Sequence, residues 1–257
     1  MNLMEKLYQK KIICPRPLID NRGKHLHKIK KKNACIVTFL EGTDKTNLNY
    51  KNCFDIGKNI AKLHKITTKI KLYRQNSMSV TKLDTLLKSI KFKSNIISPE
   101  LKPILNTCLN DIKNKWPKKL PKGIIHGDLF IDNIFFNRNK FSGFIDFYFS
   151  SNDYLMYEIA ICINSLCFDK KDNSFVMNKK KIKNLINGYE NIRPFSNKEK
   201  EALNILCRGA ALRYLLTRIY DYFNTSKTAL IQIKDPNEYL QKLIIHNKLD
   251  SYTDYYK

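Results

Sequence analysis

Residues 124–149 read IIHGDLFIDNIFFNRNKFSGFIDFYF and contain the most informative pattern of the chain. Two apolar runs flank the polar residues 137–140, which is the pattern of a β-hairpin. The hairpin brings Asn133 and Asp146 to the same end, and Asp128 lies on the loop before the first strand. Two carboxylates and an amide in one place suit a divalent cation and a hydroxyl group that must lose a proton.

The spacing of these residues is that of a kinase catalytic loop. His126, Gly127 and Asp128 are followed by four residues and then Asn133, and Asp146 begins a later Asp-Phe-Tyr triplet. The kinase form is His-Arg-Asp, four residues and Asn, with Asp-Phe-Gly on a later turn. Here Gly replaces Arg in the first triplet, and Tyr replaces Gly in the second. Both departures resemble the aminoglycoside phosphotransferase-like kinases, which have a His-Gly-Asp loop and an Ile-Asp-Phe strand end.

The resemblance narrows to one group of those kinases. Four blocks are similar to successive blocks of the bacterial homoserine kinases of this type: GIIHGDLFIDNIFF, SGFIDFYFSSNDYLMYEIAICINSLCF, LCRGAALRYLLTRIYDY and KDPNEYLQKL. The similarity runs from about residue 3 to the C-terminus and so covers nearly the whole chain. It implies ATP-dependent phosphorylation of L-homoserine to O-phospho-L-homoserine, a step towards threonine.

The same resemblance implies an α+β, protein-kinase-like fold with a truncated N-terminal β lobe and a large, mainly helical C-terminal lobe. Residues 1–42 would be the remnant of the nucleotide-binding lobe with its hinge, and residues 43–257 the catalytic and substrate lobe. In the family, a glycine-rich strand pair and a strand lysine come before the helix that residues 2–11 resemble, and neither is found here. We therefore expect an N-terminally shortened homoserine kinase with reduced activity, because phosphoryl transfer depends on positioning and charge neutralisation.

The resemblance also implies roles for the three polar side chains. Asp128 is the catalytic residue, which accepts the proton of the acceptor hydroxyl or orients that hydroxyl. Asn133 and Asp146 hold Mg²⁺, for which oxygen atoms are suitable ligands. ATP would lie between the two lobes.

A nucleotide-binding segment is expected further towards the N-terminus. Thr38, Phe39 and Leu40 belong to the segment TFLEG, the hinge of the resembling family, and their backbone is expected to bind the adenine edge. Glu5 falls near the position of the family's helix glutamate. Without the resemblance, residues 34–40 fit an ordinary core strand followed by a turn equally well.

A long helix is predicted to begin at the capping box formed by Ser196 and Glu199. It carries Arg208, Arg213 and Arg218 among apolar neighbours, and buried arginines need acidic partners. They form salt bridges with nearby carboxylates in one interpretation. In the other, one or two of them bind the carboxylate of an amino-acid acceptor. Steps of five residues rotate each successive arginine, so all three cannot share one face.

Four further side chains have predicted roles near the site. Asp153 is predicted to cap the helix over residues 154–168, although it is also close enough in sequence to the site to contact substrate. Glu158 stands where the family usually has Asp, which keeps the charge and lengthens the arm that braces the catalytic loop. His126 is predicted to brace the loop rather than to take part in the chemistry, and His64 to be packed.

The composition excludes several other classes of protein. The net charge is +24, but the lysines are scattered over every segment, so we expect ATP and a small amino-acid alcohol as partners and no nucleic acid. The seven cysteines have no metal-binding spacing. The apolar settings of Cys35, Cys162 and Cys167 predict buried free thiols and a cytoplasmic protein. Neither a membrane span nor a signal peptide is visible.

Two alternatives to the homoserine kinase remain open from the sequence. One is a related kinase that acts on choline, an aminoglycoside or another alcohol, because the catalytic loop alone does not separate these acceptors. The other is an inactive, truncated remnant, which the missing phosphate clamp supports. Retention of Asp128, Asn133 and Asp146 together argues against a long-standing loss of function.

Overall fold

The computed structural model describes residues 1–90, 92, 98–226 and 233–257. The helices in this part of the chain are α1 (Asn2–Gln9), α2 (Tyr50–Thr67), α3 (Leu83–Ser89), α4 (Leu101–Lys115), α5 (Leu155–Leu166), α6 (Lys179–Glu190), α7 (Asn197–Asn224) and α8 (Asn237–His246). The strands are β1 (His27–Ile29), β2 (Lys32–Ala34), β3 (Lys122–Ile125), β4 (Ile134–Asn137), β5 (Lys140–Phe144), β6 (Ser151–Tyr154), β7 (Phe168–Lys171) and β8 (Ser174–Met177). None of the described helices is both long enough and apolar enough to cross a membrane.

The strands pair as four antiparallel two-stranded ribbons. The predicted hairpin is confirmed as β4–β5, with Asn137 opposite Lys140. The β3–β6 ribbon was not predicted, since its strands are distant in sequence, and it places Ile125 opposite Ser151. This pairing brings the loop that follows β3 next to the loop that precedes β6. The two catalytic segments therefore meet through a contact between distant parts of the chain.

The apolar run at residues 34–40 is not a core strand, so that reading was wrong. The strand β2 ends at Ala34, and the side chains of Ile36 and Phe39 are 67% and 86% exposed. The backbone N–H of Leu18 donates a hydrogen bond to the carbonyl oxygen of Ile36 at 2.9 Å, but residues 18–20 form no strand beside the run. An apolar strand is buried only where another element covers it, and no described element covers this one.

The helical core is built around α5. Its residues from Leu155 to Asn164 are all buried, as expected for a helix that is apolar on every side. The 28-residue helix α7 packs against it and begins with the predicted capping box. Ser196 Oγ accepts a bond from the Glu199 N–H at 3.3 Å, and Glu199 Oε2 accepts one from the Ser196 N–H at 3.0 Å.

Several local predictions need correction. Asp153 does not cap α5, because it lies within β6, and Tyr154 occupies the N-cap position. The cysteines are all free as predicted, and Cys162 and Cys167 are buried, but Cys35 is exposed with the rest of its run. The hairpin β7–β8 directly after α5 was missed. The tail of the chain packs on the helical part, where Tyr255 is fully buried.

Helices α2 and α6 touch through their backbones at two glycines. A Cβ atom on Gly57 would overlap the carbonyl oxygen of Leu185, and one on Gly188 would overlap the carbonyl oxygen of Phe54. A side chain at either position would push the two helices apart. The close approach also places the α2 histidine, His64, within 2.8 Å of the Tyr189 hydroxyl on α6, so that it is packed as predicted.

Gly57→Ala is therefore expected to destabilise the protein, although alanine favours helix more than glycine does. Overpacking of a tight contact should lower the free energy of unfolding by about 2 kcal/mol. For a chain of this size, the midpoint of thermal unfolding should fall by about 4–8 °C. Lys62→Ala, at an exposed position of the same helix, is the matched control and should unfold close to wild type. An unchanged midpoint for Gly57→Ala would contradict the close packing.

Candidate active site

The catalytic loop begins where β3 ends. Gly127 has a φ of +79°, a backbone conformation that residues other than glycine rarely adopt. A Cβ atom at this position would lie 2.9 Å from the carbonyl oxygen of Phe149. The glycine that distinguishes this loop from the kinase form is therefore required by the turn over Phe147–Phe149, which precedes β6. Asp128 follows it and points into a cavity of about 430 Å³.

A buried glutamate on α5 holds the backbone of this loop in place. The Glu158 carboxylate, on α5, accepts hydrogen bonds from the backbone N–H groups of His126 and Gly127, the latter at 3.1 Å. His126 donates through Nε2 to the carbonyl oxygen of Ile145 at 2.8 Å, and its ring centroid lies 4.7 Å from that of Phe147. The bracing roles predicted for both side chains are confirmed.

The three polar residues of the motif line one cavity. Asp128, Asn133 and Asp146 all border the 430 Å³ cavity. Asn133 Nδ2 donates to the carbonyl oxygen of Asp128 at 2.9 Å, which leaves its oxygen Oδ1 for another partner. Asp146 has a φ of 56° and a ψ of 65°, and such left-handed backbone in a residue other than glycine is concentrated at functional sites.

Burial, Arg213 and Tyr214 all act on the carboxyl group of Asp128. Burial raises the pKa of its carboxyl group above the ordinary value, and the Arg213 guanidinium opposes that rise. The Tyr214 hydroxyl donates to Asp128 Oδ1 at 3.3 Å, which fixes the direction of the carboxylate. The side chain is thus oriented, and its affinity for a proton is raised, as a group that takes a proton from an alcohol requires.

A metal at this site fits the donor atoms. The residues that the structure describes contain no group of three or more His, Cys, Asp or Glu placed to hold a metal. Mg²⁺ in phosphoryl-transfer sites needs only one or two protein carboxylates, because phosphate oxygens and waters complete its shell. Asn133 Oδ1 and the Asp146 carboxylate are such oxygen donors.

Most of the remaining cavity wall was not predicted, and it consists of one face of α7 and its C-cap residue Thr225. Tyr214, Thr217, Arg218, Asp221 and Thr225 line the cavity. Their spacing of three, one, three and four residues places them on one side of a helix, and this signal was available in the sequence.

Only one of the three predicted arginines reaches the cavity. Arg208 forms a salt bridge with Asp111 at 2.7 Å in another part of the protein, so its predicted substrate contact is not supported. Arg213 is 3% exposed, and its guanidinium carbon lies 4.8 Å from the centroid of the Tyr214 ring. Arg218 lines the cavity and forms a salt bridge with Glu238 at 2.7 Å. As predicted, the three have different surroundings.

The remaining predicted residues lie outside this cavity. Asp153 accepts a hydrogen bond from Asn76 Nδ2 at 2.6 Å and does not line the cavity. Glu5 forms a salt bridge with Arg16 at 3.3 Å. Thr38 donates its backbone N–H to the carbonyl of Arg16 at 2.8 Å.

The expected adenine-binding segment is attached to the catalytic hairpin. Thr43 exchanges backbone hydrogen bonds of 3.0 and 2.8 Å with Phe136 of β4. Leu40 lies against Gly143 of β5. Phe39 and Leu40 make no backbone hydrogen bond to the described part of the chain, so their amide groups are available to a ligand.

Larger cavities exist, but they lack this chemistry. One of about 710 Å³ is lined by Lys181 and Lys242, which are already paired with Asp169 and Glu238. Another of about 950 Å³ surrounds the salt bridge of Arg208. Neither is lined by Asp128, Asn133 or Asp146, so the smaller cavity is the candidate active site.

The fold and this site together define a small-molecule kinase, and comparisons with known proteins agree. Residues 1–195 match the model of the phosphotransferase enzyme family. The chain is 40% identical over 255 residues to a homoserine kinase of Xanthobacter autotrophicus, covering 99% of this chain and 78% of that protein. It is 39% identical over 253 residues to a homoserine kinase of Bartonella henselae, covering 98% and 78%. The chain belongs to the phosphotransferase enzyme family and, within it, to the group of the homoserine kinases.

Solved structures support the same fold. The chain resembles an amicoumacin kinase in complex with AMP-PNP, Ca²⁺ and its ligand, with a TM-score of 0.74 at 13% identity, covering 98% of this chain and 79% of that one. It also resembles an ethanolamine kinase of Plasmodium vivax, with a TM-score of 0.68 at 17% identity, covering 99% and 72%. The fold is that of the aminoglycoside phosphotransferase-like kinases, as predicted, and the family uses ATP and a divalent metal.

Glu158→Gln is expected to loosen the catalytic loop. The amide replaces one of the two acceptor oxygens with an NH₂ group, and this buried donor then faces the backbone N–H groups of the loop without an acceptor, at about 2 kcal/mol. The unfolding midpoint should fall by at least about 4 °C. The value of kcat should fall by about 10–100-fold, because a small displacement of a reacting group greatly reduces the rate. Glu158→Asp keeps both acceptor oxygens and should recover most of the lost kcat. Equal kcat for Glu158→Gln and wild type would show that the loop does not depend on this brace.

Proposed function

We propose that this protein transfers the γ-phosphoryl group of ATP to the hydroxyl group of L-homoserine. The observation that carries the proposal is the convergence of Asp128, Asn133 and Asp146 on one cavity. The identity of the acceptor is inferred from the homoserine kinases, which the chain resembles over nearly all its length. The reaction is placed in the cytoplasm, where free thiols such as the seven found here persist.

In the proposed mechanism, Asp128 accepts the hydroxyl proton of homoserine. The hydroxyl oxygen then forms a bond to the γ-phosphorus of ATP, while the bond from that phosphorus to the oxygen of the departing ADP breaks. Asn133 and Asp146 are assigned to Mg²⁺, which neutralises phosphate charge when it is bound. Tyr214 keeps the Asp128 carboxylate pointing into the cavity through its 3.3 Å hydrogen bond.

For the nucleotide, we assign the adenine edge to the backbone of Phe39 and Leu40. Thr38 is left out, because its N–H is already bonded to Arg16. Glu5 acts indirectly, since its salt bridge holds Arg16, whose carbonyl fixes the start of this segment. On this proposal residues 1–42 form the nucleotide side of the site with its hinge, and residues 43–257 form the catalytic and substrate side.

For the acceptor, we assign the carboxylate of homoserine to Arg218. Arg218 is the predicted arginine that lines the cavity. Its guanidinium group is held in place by a salt bridge with Glu238 at 2.7 Å and by a hydrogen bond to the carbonyl oxygen of Asp235 at 2.8 Å. Arg213 acts on Asp128 rather than on substrate, and Arg208 and Asp153 are not part of the proposed acceptor site.

The test is a panel of acceptors with ATP and Mg²⁺. Formation of ADP and of the phosphorylated product is followed with L-homoserine, choline, ethanolamine and an aminoglycoside. The value of kcat/KM should be at least about 100-fold higher for L-homoserine than for the others, because a site built for a charged group rejects analogues that lack it. A higher kcat/KM with another alcohol would show that this alcohol, and not L-homoserine, is the acceptor. Absence of turnover with all acceptors, together with no ATP binding in calorimetry, would identify an inactive remnant.

A further inference from the structure

We propose that Asp221 binds the α-ammonium group of the amino-acid acceptor and so determines the specificity of the kinase. This inference rests on the proposed function, because it assumes an acceptor with an amino group beside a carboxylate. Asp221 lies on α7, outside the catalytic motif, and lines the same cavity as Asp128.

Four carboxylates line the cavity, and they belong to Asp128, Asp132, Asp146 and Asp221. Asp128 accepts a bond from Tyr214, and Asp146 is assigned to the metal. Asp132 lies 3.7 Å from the Lys234 ammonium group. The carboxylate of Asp221 has no hydrogen bond or salt bridge within the ranges of the chain that the structure describes. It is therefore the carboxylate left for a cation that enters the cavity.

The position of Asp221 in its helix also favours a cation beside it. It lies in the last turn of α7, which ends at Asn224 and has no basic residue in that turn. The C-terminal end of a helix carries partial negative charge, so a carboxylate there is unfavourable unless a cation is present. Asp221 is exposed on the cavity wall, and partial desolvation there raises the pKa of its carboxyl group. An ammonium group would relieve both effects.

Two opposite charges on α7 have the spacing that an amino acid requires. Arg218 precedes Asp221 by three residues, which places the two side chains on the same face of α7. An α-amino acid carries a carboxylate and an ammonium group on one carbon atom. A cation and an anion one helical turn apart, beside the catalytic carboxylate, form a complementary pair for such a zwitterion.

The experiment compares two acceptors in two proteins. L-Homoserine carries the ammonium group, and 4-hydroxybutanoate has the same chain, hydroxyl and carboxylate without it. For Asp221→Asn, kcat/KM with L-homoserine should fall by about 30–100-fold, mainly through KM, since a charged hydrogen-bond partner is lost. With 4-hydroxybutanoate, kcat/KM should stay within about threefold of wild type. The wild-type preference for homoserine should therefore shrink by the same 30–100-fold.

Two controls distinguish lost binding of the ammonium group from a general effect of the substitution. Glu201→Gln neutralises an exposed carboxylate near the start of the same helix, away from the cavity, and should leave both acceptors unchanged. The unfolding midpoint of Asp221→Asn should be equal to wild type or higher, because the variant removes a charge that opposes the helix dipole. An effect caused by misfolding would instead lower that midpoint.

The outcomes separate the two proposals. If Asp221→Asn loses the same factor with both acceptors, or loses nothing, Asp221 does not bind the ammonium group, while the proposed function stands. If the wild-type protein turns over neither acceptor and shows its best rate with another alcohol, the proposed function fails, and this inference fails with it.

Discussion

Asp128→Asn is expected to lower kcat by about a thousandfold while the protein stays folded. General-base catalysis contributes roughly 10²–10⁴-fold in rate, and the amide cannot take the hydroxyl proton. The amide oxygen still accepts the hydrogen bond from Tyr214, so the loop should keep its shape. The measurement is the initial rate of ADP formation with L-homoserine, with Asp172→Asn in the exposed β7–β8 turn as the control.

The stability of this variant gives a second readout with a definite sign. Burial raises the pKa of Asp128, so the folded protein binds this proton more tightly than the unfolded chain does. Above the folded pKa the ionised carboxylate therefore reduces stability, and below the ordinary pKa of about 4 that effect is absent. At neutral pH the unfolding midpoint of Asp128→Asn should equal or exceed that of wild type. A rate within tenfold of wild type would overturn the assignment of Asp128.

Asp146→Asn is expected to reduce kcat by at least a factor of about a thousand through a different cause. The variant weakens the metal site, and electrostatic stabilisation of the transferred phosphoryl group is worth several kcal/mol. Asparagine tolerates the left-handed backbone found at this position, with its φ of 56°, so the turn should persist. The substituted amide oxygen can also accept the bond from the Tyr148 N–H that now ends on Asp146 Oδ1 at 3.3 Å.

Nucleotide binding distinguishes this role from a purely structural one. In calorimetry, Mg²⁺ should increase the affinity of the wild-type protein for ATP, and this increase should be largely lost in Asp146→Asn. Asp128→Asn is the matched comparison, because it should keep the dependence on Mg²⁺ and lose only turnover. If Mg²⁺ improves ATP binding equally in wild type and in Asp146→Asn, the carboxylate does not hold the metal.

Much of the candidate site could be predicted because its signals are local. The separation of Asp128 and Asn133, the hairpin and the capping box each involve residues a few positions apart, and their geometry follows from backbone dihedrals and short turns. The face of α7 that carries Tyr214 and Asp221 was visible as helical spacing, but spacing alone does not say what a face is turned towards.

Local sequence patterns were sufficient to predict the class of chemistry, the catalytic hairpin, the helix α5 and the start of α7. Contacts between distant elements settled which of the three arginines lines the cavity, that Ile36 and Phe39 are exposed, and that Asp221 lines the same cavity as Asp128. The physical reason is that burial and ion pairing depend on elements far apart in the chain. Arg208 meets Asp111 and Arg218 meets Glu238 because α4 and α8 pack on α7, and no pattern within α7 specifies those partners.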